Sequence, residues 1–195
     1  MQYIWNPNRV DCEYLTTYCR NSTVERVQWL MDEHGEEDVV NQVCPILNER
    51  YTCLHLAAHA VDGEYLELMT LLLDAGADIE ATTMFENMTP LHYAANYKHP
   101  ESIALLLDRG ADIEAVAGKA RKSAEKRGTA LTLAIAKEAP VETKLLISRG
   151  ASLKNAEQVS HAARKQGICE QQCFNALNIR LLWSKHAEDV AEELI

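Results

Sequence analysis

An all-α stack of repeated helix pairs is the fold class this sequence predicts, and three observations predict it. A Thr-x-Leu-x-x-Ala motif recurs three times, each copy followed by an apolar run and a Gly-Ala pair. Hydrophobic residues make up 47% of the 195 residues, aromatics 6%, with eight Gly and five Pro. That composition supplies a core for one ordinary domain and is not that of a disordered or collagen-like chain. Apolar residues come in triads and tetrads, Ala104-Leu105-Leu106-Leu107 among the longest, too short to cross a bilayer.

Along the chain, Met1–Pro7 has no basic start and no apolar stretch, so no secretory leader is expected. Tyr3 and Trp5 are read as a lid over the first unit, and Tyr14–Cys19 as a first helix. Ser22-Thr23-Val24-Glu25 is a capping box, whose hydroxyl and carboxylate satisfy the orphan amides of a starting helix. Val27, Leu30 and Met31 then share one face, and Gly35 ends the helix. Trp29 and Trp183 fall inside helices and are read as core or cap packing.

The three copies follow. Thr52-Cys53-Leu54-His55-Leu56-Ala57-Ala58 leads to Leu71-Leu72-Leu73 and Gly76-Ala77-Asp78. Thr89-Pro90-Leu91-His92-Tyr93-Ala94-Ala95 leads to Leu105-Leu106-Leu107 and Gly110-Ala111-Asp112. Thr129-Ala130-Leu131-Thr132-Leu133-Ala134 leads to Leu145-Leu146-Ile147 and Gly150-Ala151-Ser152. Each Thr is an N-cap, and Pro90 takes the first helical position, where its missing N–H costs nothing. The Ala pairs keep the first helix thin, and the Leu triads give the second an apolar stripe. Gly76, Gly110 and Gly150 suit the left-handed position that ends a helix. No unit buries its stripe alone, so stacking is obligatory and stability lies between units.

These segments resemble the ankyrin repeat, a unit of about 33 residues marked by T-P-L-H-x-A, a second helix and G-A-D. The resemblance covers residues 48–155, with degenerate copies at both ends. It implies a solenoid of about five helix–turn–helix units with hairpin-like fingers and an extra C-terminal helical tail. The units run 11–47 (divergent N-terminal cap), 48–84, 85–118, 119–155 and 156–195 (divergent C-terminal cap and tail). Asp38-Val39-Val40-Asn41 echoes the repeat's D-V-N ending. Glu80 and Glu114 stand where the repeat usually has Asn, which argues against asparagine hydroxylation there.

Two departures mark this chain. Thr52 to Gly76 is 24 residues where the later copies have 21, placing three extra residues around Val61-Asp62-Gly63-Glu64. Thr89 to Thr129 is 40 residues, so seven extra lie between Ala115 and Gly128. That insertion carries Lys119, Arg121, Lys122, Lys126 and Arg127, and the resemblance puts it on a projecting finger. Residues 1–116 hold 6 basic and 20 acidic residues, whereas 117–195 hold 13 and 9. The charge dipole biases how a charged partner approaches. Past Gly167, residues 168–195 contain neither Gly nor Pro and read as a closing helix with a tail around Ala187–Leu194.

No catalytic motif is present: no G-x-S-x-G, H-E-x-x-H, phosphate loop or Cys–His signature. His55 and His92 share one motif position, and the resemblance gives that imidazole a local structural bond; the third copy has Thr132. His59 follows His55 at i+4 without a third ligand, and Cys169 and Cys173 lack a fourth. Asp74, Asp78, Asp108 and Asp112 flank the Gly-Ala turns and read as repeat structure rather than acid/base chemistry. The six cysteines read as small helix-face hydrophobes in a reducing compartment, not as a disulfide framework. No cofactor, metal or enzymatic activity is expected.

Binding is expected instead. The resemblance implies a concave face lined by finger and first-helix positions. Those positions are Phe85, Glu86, Met88, Asn96 and Tyr97 around Thr89, and Asn48, Glu49, Tyr51 and His59 around Thr52. Around Thr129 they are Glu125, Lys126 and Lys137. Phe85 is one of two phenylalanines, and exposed aromatics with a polar rim have the composition of a binding hot spot. The expected function is a monomeric, cytoplasmic protein-binding module, acting as adaptor, inhibitor or targeting factor, without a membrane partner. Rival readings are an effector of an intracellular pathogen or symbiont acting on a host protein, and a nucleic-acid-associated factor using 119–127. The acidic front half speaks against nucleic acid. Nuclear entry through the basic segment and a cryptic enzyme complete the alternatives.

Overall fold

Thr52, Thr89 and Thr129 adopt nearly the same extended backbone (φ −93°, −83° and −77°; ψ 166°, 167° and 168°), and a helix starts immediately after each. The repetition of local geometry follows the repetition of sequence. The computed structural model describes residue 19 and residues 24–46, 49–59, 63–118 and 128–152. The described elements are α1 (Val24–His34), α2 (Glu36–Val40), β1 (Cys44–Ile46), β2 (Glu49–Tyr51), α3 (Cys53–Ala58) and α4 (Gly63–Asp74). They continue with α5 (Pro90–Tyr97), α6 (Pro100–Asp108), α7 (Ala130–Ala136) and α8 (Pro140–Ser148).

The chain is an all-α repeat solenoid. Helices α3, α5 and α7 pack side by side in one layer, and α1, α4, α6 and α8 follow one another in a second. Ala57, Ala58, Ala94, Ala95 and Ala134 are buried, which lets the inner helices approach closely. Leu54, Leu91 and Leu131 from the inner layer meet Leu68, Leu72, Ile103, Leu106 and Leu146 from the outer one, all fully buried. Each such side chain contributes about 1.5–3 kcal/mol by leaving water.

The outer helices α4, α6 and α8 end as the glycines predict. Gly76, Gly110 and Gly150 have φ of +84°, +89° and +95°. Just beyond them, Ala77, Ala111 and Ala151 donate back to Leu72, Leu106 and Leu146, satisfying orphan carbonyls. Neighbouring units are tied by a ladder. Asn41 Oδ1 accepts from the Asp78 N–H at 2.8 Å, Glu80 Oε1 from Asp112 at 2.7 Å, and Glu114 Oε1 from Ser152 at 2.5 Å. Asn41 therefore does for residues 24–41 what Glu80 and Glu114 do in the later copies, matching the echo read at Asp38–Asn41. Arg109 pairs with Asp74 and Arg149 with Asp108 across the same boundaries; exposed pairs of this kind add about 0–1 kcal/mol each.

Between layers run short hairpins. β1 and β2 are antiparallel with Cys44 opposite Tyr51. Residues 83–88 form a tighter turn, closed by the Thr83 N–H on the Met88 carbonyl. A bridge between Ala117 and Gly128 closes the base of the insertion. The contents of the insertion, the N-terminal lid, most of the first helix and the C-terminal closing helix and tail lie outside the described residues.

Three expectations need correction. Trp29 is 53% exposed: Val27, Leu30 and Met31 face the core, and Trp29 stands off that stripe. Cys19 and Cys53 are not separate apolar fillers but a disulfide, with Cα atoms 5.6 Å apart and 34 residues between them in sequence. The extra residues of the first copy do more than lengthen a turn, since α4 has 12 residues where α6 and α8 have 9.

Candidate functional site

The inner helices owe their orientation to the motif itself. His55 Nδ1 accepts from the Thr52 backbone N–H at 3.3 Å and lies 2.8 Å from the Thr52 hydroxyl. That leaves the proton on Nε2, which donates to the Met88 carbonyl of the next unit at 3.0 Å. His92 repeats the arrangement with Thr89 and the Gly128 carbonyl. Burial pushes both imidazoles down to about 4, against the backbone carbonyls that favour the charged form. Both histidines are structural, with no open coordination. In the third copy Thr132 turns its hydroxyl onto the Thr129 carbonyl, and the buried Thr129 hydroxyl is left with no partner.

A stripe of rings runs along the inner layer. Tyr51, at the end of β2, meets Tyr93 edge-on at 5.7 Å, and their hydroxyls are 3.2 Å apart. Tyr93 stacks with Tyr97 at 6.0 Å and 22°, and His59 lies edge-on against Tyr97 at 3.9 Å. The stripe thus begins at a finger base and ends at the C-terminal end of α5. Burial is greatest at its middle: Tyr93 is buried, Tyr51 half-buried, and Tyr97 is 43% exposed. Packing holds these rings in place without spending their freedom on a ligand, which is what preorganisation requires.

The other residues singled out in sequence divide. Phe85 is 45% exposed on the turn preceding α5, beside exposed Met84. His59 and Lys137 are exposed; Asn96 and Glu86 are half-buried. Met88 is a correction: it is only 4% exposed, facing the core while its carbonyl serves His55. It is a packing residue, not a surface contact. The side chain of Glu49, together with Asn48, Glu125 and the basic residues Lys119, Arg121, Lys122, Lys126 and Arg127, lies outside what is described.

Sequence reasoning missed Tyr93 and His99. Tyr93 joins Tyr51 to Tyr97, and its i,i+4 spacing from Tyr97 on one helix face was the available signal. His99 is buried ahead of α6 and its Nε2 is 2.9 Å from the His59 carbonyl, tying one inner helix end to the next outer helix. Among the described residues no group of three or more His, Cys, Asp or Glu is placed to hold a metal ion. No described helix is long and apolar enough to cross a membrane.

Residues 15–117 match the family model of ankyrin repeats, in three copies. A search of curated proteins finds no match.

Proposed function

The chain belongs to the ankyrin-repeat family, and from that premise we propose that it docks one partner protein on the face made by its fingers and inner helices. Ankyrin repeats commonly mediate protein–protein interaction and are generally non-catalytic. The finer reading is that this chain acts as a monomeric adaptor, inhibitor or targeting factor, with Tyr97 and Phe85 as its aromatic anchors.

The observation that carries this reading is the ring stripe ending in Tyr97. An aromatic side chain of that size, 43% exposed yet braced by Tyr93 and His59, offers apolar area with little rotamer entropy left to lose. Asn96, half-buried and next to it in sequence, and Lys137, exposed where α7 ends, are the polar positions of the same inner layer. Nothing comparable braces Trp29 on the outer layer among the contacts described.

Placement is tested with a photoreactive residue installed either at Tyr97 or at Glu101, an exposed position on α6. The reading expects a protein adduct from position 97 and none from 101 in the cell of origin. Adducts from 101 alone would place the interface on the other layer and end the proposal for this face.

A further inference from the structure

We propose that the Cys19–Cys53 bond is a redox-operated clasp that decides whether the N-terminal unit stays docked on the first full repeat. The proposal is independent of which partner the inner face binds. Both cysteines are fully buried, and their Cα separation of 5.6 Å lies in the middle of the range a disulfide spans. Six cysteines allow fifteen complete pairings, and among the described residues this is the pair brought together.

Its position gives it leverage. Cys53 is the first residue of α3, immediately after the Thr52 cap, and Cys19 lies in a helical segment before α1. In a linear stack a unit is held by its interfaces with neighbouring units, and this bond crosses the one between residues 24–41 and the first full repeat. Residues 24–41 are held there by α1 packing on α4 and by the bonds of Asn41 to Gly76 and Asp78. Both of those bonds are exposed, so solvent competes for them. A covalent link across that interface limits how far the unit can depart when it opens.

Reduction by a dithiol of the thioredoxin class breaks the Sγ–Sγ bond. The dithiol supplies two electrons and two protons and leaves as its own disulfide, and both cysteines become thiols. Oxidation reverses the exchange, with a disulfide of the glutathione class accepting the electrons. Because the sulfurs are buried, attack waits on opening of the unit, and each reduction then makes the next opening easier.

The full chain, air-oxidised, is compared with the same chain treated with dithiothreitol under native conditions. Peptide mapping of the oxidised form is expected to yield a Cys19–Cys53 cross-linked peptide, lighter than the two thiol peptides by two hydrogen atoms. Backbone amides of α1 are expected to exchange roughly 30- to 1000-fold faster after reduction, as release of a loop of this length implies. Amides of α6 and α8 should keep their rates. Cys19→Ala should exchange at the fast rate with or without reductant. Another pairing, no cross-link, a bond inert to native-state reductant, or α1 amides that ignore its reduction would each overturn the clasp.

Discussion

His55 Nε2 reaches the carbonyl of Met88, 33 residues further along the chain, at 3.0 Å. The span is one repeat, so the bond ties the cap of one unit to the residue just before the cap of the next. His92 does the same for Gly128. The inner layer is therefore held by two buried neutral imidazoles as well as by its leucines, and their neutrality is part of the stability.

Stability should fall in mild acid. In the folded chain both histidines titrate at about 4, below their ordinary 6.5. The unfolded chain therefore takes up protons first. Their contribution is complete above about pH 6.5 and is lost progressively toward pH 4, by up to about 3 kcal/mol for each histidine. Burial raises the Glu80 carboxyl, helped by the nearby charges of Asp112 and Asp78 and opposed by the Asp112 N–H bond. Its contribution runs the other way, rising as pH falls, but it is one partly exposed group against two buried ones. Urea midpoints at pH 7.5 and pH 5 measure the sum, and an unchanged midpoint would contradict the buried-neutral assignment.

The capping threonines Thr89 and Thr129 should respond differently to loss of the hydroxyl. Thr89→Val takes a partner from His92 and is expected to cost about 1–2 kcal/mol. In Thr129→Val the lost hydroxyl is a buried group with no partner, so the change should be neutral or stabilising by up to about 1 kcal/mol. Chemical denaturation of the two variants beside the parent chain checks the contrast.

Two surface positions should gain from glycine. Lys98, which ends α5, has φ +65°, and Glu138 has φ +52° just past α7. A side chain in that region costs roughly 1–2 kcal/mol, offset in part by the greater freedom glycine has when unfolded. Lys98→Gly and Glu138→Gly should each raise stability by about 0.5–1 kcal/mol, read as a rise in Tm.

Gly128 should tolerate nothing larger. A Cβ there would sit 2.0 Å from Thr132 Oγ1 with φ at +147°. Gly128→Ala is expected to destabilise by about 2 kcal/mol or more. Thr132→Ala in the same chain should restore part of the loss by removing the atoms it strikes.

What the sequence revealed depended on how local the cause was. The Thr caps, Pro90 and the three C-terminal glycines act through their own backbone, and each stands where its chemistry predicts. Asn41 was readable because it copies a motif position. Lys98 and Glu138 were not, since neither residue type announces a left-handed turn. The Cys19–Cys53 contact was hidden for a different reason: a pairing across 34 residues is set by how units stack. At the candidate site, Phe85 and Tyr97 are exposed, whereas Met88 faces the core while its carbonyl accepts from His55.

The central claim is that the finger and inner-helix face grips a protein. Its most direct test is capture of the native partner by three forms of the chain: wild type, the double variant Phe85→Ala/Tyr97→Ala, and Glu101→Ala on α6. Circular dichroism and Tm should be the same for all three. The account expects wild type and Glu101→Ala to retain the same protein and the double variant to lose it, each aromatic contributing roughly 1–3 kcal/mol. A double variant that folds like the parent and still holds that protein with equal affinity would contradict it.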